Sequence, residues 1–242
     1  MNAYTLGIAV CFKLVLLLCL MVSGCTTPKK AEKPVETKLE GLVHTYDEEG
    51  NVRTSINYQD NKKHGKSYLY YDNSQQVLLE MTYENGMRTD TAYKYYSNGD
   101  IYRKTPYEND RVHGQVQVFY RNGQLQAQVP YHMGYKSTAL VEYKLNGEMK
   151  ELPGITVRRE LKDGNKIIFV NIENCDQANY YIGNLAAGKY FIEGSKGYTV
   201  LPQINDEGYF KITNNSPTEV NVFCTCITKS NFPYITTTSV KL

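Results

Sequence analysis

Between Gly41 and about Leu152 the chain repeats itself, and that period constrains its fold more than any other feature. Five tyrosines, Tyr46, Tyr71, Tyr96, Tyr120 and Tyr143, each precede a turn, at steps of 25, 25, 24 and 23 residues. A second series, Tyr58, Tyr83, Tyr107 and Tyr131, runs between them at steps of 25, 24 and 24. The turns carry Asn98-Gly99, Asn122-Gly123 and Asn146-Gly147, which supply the positive φ angles of tight hairpins. Between turns, side chains alternate with period two, so each repeat predicts a pair of antiparallel strands.

Counting alternate positions back from the tyrosines predicts the two faces. One face takes Leu42, His44 and Tyr46 at the start, Val116 and Val118 in the middle, and Ala139, Val141 and Tyr143 at the end. It also takes Val52, Val77, Ile101 and Leu125 from the intervening strands. The opposite face takes Tyr68, Tyr70, Tyr93, Tyr95, Tyr102 and Phe119, either as half-buried rungs or as an exposed binding platform. The 22 Tyr against 7 Phe and no Trp fit sheets with many half-exposed positions.

The pattern Tyr-x-Asn-Gly-x-x-(His)-Gly, a strand, then Tyr-x-x-Asn-Gly resembles the MORN-repeat variant of bacterial proteins labelled YwqK-type antitoxins, over about residues 41–152. The resemblance implies consecutive hairpins in an elongated, twisted sheet. Ser74-Gln75-Gln76 and His132-Met133-Gly134 depart from the pattern.

Residues 1–24 read as a signal peptide: Lys13, the apolar run Leu14–Val22, then Ser23-Gly24-Cys25. That ending resembles the bacterial lipobox, which implies a lipid on the Cys25 thiol and a membrane partner reached through it. The other reading is an uncleaved anchor. Residues 26–40 are charged and Pro-containing, a tether with too little apolar surface to fold. Thr26 in place of Asp leans towards an outer membrane, with the folded part facing the periplasm.

From residue 153 the period is gone. Runs at Ile155–Leu161, Lys166–Ile172, Asn179–Ile182, Gly188–Ile192, Tyr198–Leu201, Gly208–Thr213, Glu219–Thr228 and Tyr234–Val240 predict an immunoglobulin-like β-sandwich over 153–242. The stretch Asn184–Tyr190 resembles the L-x-x-G-x-Y approach to a late strand in fibronectin-like domains. The fold class expected is all-β: an elongated sheet of repeated hairpins, then the sandwich.

Chemistry is sparse. Cys175, Cys224 and Cys226 read as buried small side chains or as a disulfide from Cys175 to one of the other two. The four His are dispersed, with His64 and His113 at equivalent turns. No Gly-x-Ser-x-Gly, His-Glu-x-x-His or phosphate-cradling loop occurs. A net charge of +2 argues against a nucleic-acid partner. The expectation is a non-enzymatic envelope lipoprotein, with no cofactor or metal, binding a protein or envelope polymer. The alternative is an antitoxin-like or immunity protein.

Overall fold

The computed structural model describes residues 38–187 and 189–242. The signal peptide, Cys25 and most of the tether lie outside the described residues. Among the described residues every regular element is a strand.

The repeat region forms β1 (Gly41–Tyr46), β2 (Val52–Gln59), β3 (Lys62–Tyr70), β4 (Val77–Glu84), β5 (Met87–Tyr95), β6 (Ile101–Glu108), β7 (Arg111–Val112), β8 (Gly114–Phe119), β9 (Leu125–His132), β10 (Tyr135–Lys136) and β11 (Val141–Glu142). They build one antiparallel sheet in sequence order, with β7 beside β6 and β11 beside β9. Among the described residues, contacts with this sheet already include Lys38, inside the segment read as tether. The Leu39 carbonyl accepts from the Asn61 amide at 3.1 Å, and Lys38 pairs with Asp60 at 2.6 Å.

Two hydrogen-bond ladders tie each repeat to the next. In the first, Tyr71, Tyr96 and Tyr120 donate their hydroxyls to the carbonyls of Tyr95, Phe119 and Tyr143, at 2.7, 2.7 and 2.8 Å. In the second, the amides of Asn61, Gly86, Asp110 and Gly134 donate to the carbonyls of Leu39, Lys63, Arg88 and Val112.

Register corrects the predicted faces in two ways. Cross-strand partners share a face. Val43 lies opposite Ile56 and His44 opposite Ser55, so the first strand is one residue out of phase with the prediction. The last is too: Glu142, not Val141, pairs with buried Ala127. The cause is the choice of tyrosine. The turn amides of Gly50, Gly99, Gly123 and Gly147 bond back to Asp47, Tyr96, Tyr120 and Lys144. Tyr46 and Tyr143 therefore stand one position earlier in their repeats than Tyr96 and Tyr120. The second correction is a bulge just after the turn in four hairpins, at Arg53, Leu78, Tyr102 and Gln126, which pairs Tyr46 with Val52, Tyr70 with Val77, Tyr95 with Ile101 and Phe119 with Leu125. The extra residue reverses the alternation there. Val52, Val77, Ile101 and Leu125 thus join the aromatic face.

The rest of the chain forms β12 (Ile155–Lys162), β13 (Asn165–Ile172), β14 (Cys175–Gly183), β15 (Tyr198–Val200), β16 (Gln203–Ile204), β17 (Glu207–Ile212), β18 (Glu219–Thr228) and β19 (Pro233–Lys241). The sheets are β12-β13-β17-β16 and β15-β14-β18-β19. Named in chain order these are A-B-E-D and C′-C-F-G, the immunoglobulin-like arrangement. Ile168 and Val170 of one sheet pack against Tyr180, Val222 and Cys224 of the other. Gly208 lets the fully buried Tyr180 ring approach, since a Cβ there would lie 2.6 Å from it.

The predicted strand at Gly188–Ile192 is corrected. Gly188 is not described, and the segment is a turn carrying two isolated bridges at Tyr190. It does not lead into a late strand. Instead it docks on the repeat region: the Phe191 amide donates to Lys136, and the Thr138 amide to Lys189.

A second junction is apolar. Val116, Val118, Ala127, Val129 and Leu140 pack with Phe232, from the turn before β19. Burial of this kind stabilises by about 25 cal/mol per Å². It gives the repeat sheet a packed core at its C-terminal end, whereas most side chains of β2–β6 are only half-buried.

Candidate binding surface

The repeat places one aromatic at the same position on one face of every hairpin: Tyr46, Tyr70, Tyr95, Phe119 and Tyr143. Each sits immediately before the turn, and the first four pair with the strand after it across the bulge. Two residues earlier stand His44, Tyr68 and Tyr93, whose rings lie 6.4, 6.5 and 6.5 Å from those of Tyr46, Tyr70 and Tyr95. Three equal separations in three repeats show that the sheet, not local packing, sets them.

A polar side chain accompanies four of the five rungs, again at equivalent positions. The Ser55 hydroxyl lies 3.4 Å from that of Tyr70. Tyr95 donates to Glu80 at 3.2 Å, and Tyr143 to Gln128 at 3.1 Å. At Phe119, which has no hydroxyl, the Lys104 ammonium stands 5.2 Å above the ring instead. Burial, then the Glu80 charge, hold the Tyr95 hydroxyl above the ordinary range, so it stays protonated and acts as a donor. The rings are held in place by these partners while remaining open to solvent. Tyr70, Tyr95, Phe119 and Tyr143 are half-buried, and Tyr46 is 61% exposed.

Two grooves recur along this face. One, of about 710 Å³, is lined by His44, Val52, Ser55 and Tyr70 between the turns at Gly50 and Asn73. The other, of about 560 Å³, is lined by Ile101, Lys104 and Phe119 between the turns at Gly99 and Asn122. Gly50 to Gly99, Ser55 to Lys104 and Tyr70 to Phe119 are each 49 residues, so the two are the same groove two repeats apart.

Of the six aromatics predicted for this surface, Tyr68, Tyr70, Tyr93, Tyr95 and Phe119 share the face. Tyr102 does not. It is the extra residue of its bulge, packs 5.1 Å from Tyr96 and lies under Lys94, on the side of the Val116 core. Tyr46, Tyr143 and His44 belong to the surface, and the tyrosine count assigned them to the other face. Counting from the turn glycines would have found them, since Gly50, Gly99, Gly123 and Gly147 all have positive φ.

Cys175 and Cys226 form a disulfide between the neighbouring strands β14 and β18. It closes a separation of 51 residues, a constraint of about 4 kcal/mol on the unfolded chain. Cys224 is buried and free, and burial pushes its thiol up to about 12, which keeps it unreactive. His113 and His132 lie 4.9 Å apart with their rings tilted, and His132 stacks on Tyr190 at 4.7 Å, so these two His serve the junction. Among the described residues no group of three His, Cys, Asp or Glu is placed to hold a metal, and no helix is long and apolar enough to cross a membrane.

The family model for the MORN repeat variant matches residues 91–109 and 112–133. No curated protein matches the chain. The matched segments run from β5 through β9 and include the Tyr95 and Phe119 rungs and the bonds made by Tyr96 and Tyr120. Residues 91–109 and 112–133 are thus similar to MORN-variant repeats.

Proposed function

We propose that the chain is a non-enzymatic lipoprotein of a bacterial cell envelope, lipid-anchored through Cys25 and facing the periplasm, with its repeat array as a binding scaffold. The observation that carries the scaffold is the open row of equivalent aromatics from Tyr46 to Tyr143, four of them braced by a polar side chain rather than covered. MORN-variant repeats fit such a role. The anchor is supported by the lipobox resemblance at Val22–Cys25. The Cys175–Cys226 disulfide is consistent with an oxidising compartment. A toxin-neutralising role has the YwqK-type resemblance alone behind it.

The test is cross-linking in the native host followed by co-purification of the full chain and of Tyr70→Ala/Tyr95→Ala. An envelope component retained by the wild type and lost from the variant is expected, with Cys25→Ser releasing the protein from the membrane fraction. Equal retention by the variant, or a small toxic partner in fixed stoichiometry, would overturn the scaffold reading.

A further inference from the structure

Resting on that reading, we propose that the aromatic face binds an uncharged, extended β-1,4-linked polysaccharide along the row Tyr70, Tyr95 and Phe119. The first argument is spacing. Successive rungs lie two strands apart, about 9.5 Å along the hydrogen-bonding direction of the sheet. That matches one disaccharide of an extended β-1,4-linked glycan, so each repeat of the protein meets one repeat of the ligand. The two equivalent grooves, 49 residues apart in sequence, extend the same register to two disaccharides.

The second argument is chemistry. A β-linked hexose presents an apolar C–H face and an equatorial rim of hydroxyls. The C–H face stacks on an aromatic ring, whose face is electronegative. The rim needs donors and acceptors beside the ring. Glu80 and Lys104 stand there, already oriented by the aromatics they contact, while Ser55 is buried and only braces Tyr70. Adjacent strands rotate by about 20–25°, so the row winds as it advances. A single glycan chain follows by turning about its glycosidic bonds, whereas a flat crystalline surface would meet one rung at a time.

The third argument is charge. In the strip beside the three rungs, Lys66 and Glu80 neutralise each other at 2.7 Å, and the second groove holds Lys104 and Arg121 against Asp100 while the first holds no Lys or Arg. A polyanion such as single-stranded nucleic acid requires a continuous positively charged groove, which two cations in one of the two grooves do not make. A peptide strand gains its affinity from main-chain bonds at a sheet edge. The rungs lie on the face of interior strands, whose main-chain groups are already paired.

Calorimetric titration of the full-length chain in detergent with the β-1,4-linked disaccharide and hexasaccharide of N-acetylglucosamine tests this, with cellohexaose alongside. Binding of at least one hexasaccharide is expected, about ten-fold or more tighter than the disaccharide, because more than one rung is engaged. Tyr95→Leu keeps apolar bulk but removes the ring, and it should lose about ten-fold. Met87→Ala, off the row, should bind as the wild type does, and thermal melts show that each variant folds. Absence of hexasaccharide binding, affinity independent of length, or unchanged binding by a folded Tyr95→Leu would each overturn the proposal. If the envelope component is still captured through Tyr70 and Tyr95 while no glycan binds, this inference fails and the scaffold stands. If neither capture nor glycan binding depends on the face, both fail.

Discussion

Arg88 shows how much one side chain carries in a sheet with little core. Its Nε donates to Asp110 Oδ1 at 2.6 Å, its Nη2 to the Asp110 carbonyl at 3.1 Å, and its Nη1 to the Tyr107 hydroxyl at 3.2 Å. The guanidinium also lies 4.5 Å from the Tyr107 ring centre. The hydrogen bond from Arg88 holds the Asp110 carboxyl below the ordinary carboxylate range. A depressed folded-state pKa stabilises the fold above the unfolded value, near 3.9, and that contribution is lost as pH falls through the folded value. An NMR titration of the Asp110 carboxyl should place its midpoint below the usual range. In Arg88→Gln it should return to that range, and the acid unfolding midpoint should move to higher pH. Arg88 lies at the start of β5 and Asp110 in the turn after β6, both half-exposed, where the sequence pattern reads only solvated polar groups.

The hairpin is the unit of construction, and its most exacting bonds are those from Tyr71, Tyr96 and Tyr120 to the next repeat. Tyr96→Phe keeps the ring and removes the donor to the Phe119 carbonyl. It should cost about 1 kcal/mol in chemical denaturation. Tyr46→Phe should cost nothing measurable, because among the described residues the Tyr46 hydroxyl donates to no carbonyl and the side chain is 61% exposed. That contrast is also where sequence reading stopped. The period, the Asn-Gly turns and the faces of the middle strands follow from spacing, because alternation holds wherever a strand is regular. The bulge after the turn breaks it, and no composition marks a bulge: the alternation reverses at Ile101 and Tyr102 with no unusual residue present. Tyr46 and Tyr143 imitate the spacing of Tyr96 while occupying the preceding position. Tyr68, Tyr70, Tyr93, Tyr95 and Phe119 share one face as alternation predicts, because their strands stay regular up to the turn.

A repeat sheet buries little by itself and needs its ends closed. Here the closing is asymmetric. Among the described residues β1 is the N-terminal edge strand, unpaired on its outer side, with no charge or Pro in Gly41–Tyr46, and Leu42 is 53% exposed. At the C-terminal end the sandwich acts as the cap. Phe232 enters the core of Val116, Val118, Ala127 and Val129, Tyr190 stacks on His132, and Lys150 reaches both Glu142 and Ser230. Neither half completes that core alone, and residues 38–242 cluster as one unit. Phe232→Ala removes the one large buried side chain that the sandwich contributes there, and should cost about 3–5 kcal/mol. The location of the loss matters more than its size. Hydrogen exchange should show amides of β8 and β9 losing protection, while those of β2–β4, several strands away, keep theirs. If the sandwich were a separate domain joined at Leu152-Pro153-Gly154, the loss would stay within β18 and β19 and leave β8 and β9 unchanged. Protection lost in β8 and β9 would mean that the Phe119 rung, at the end of β8, owes its rigidity to a part of the chain that contains no repeat.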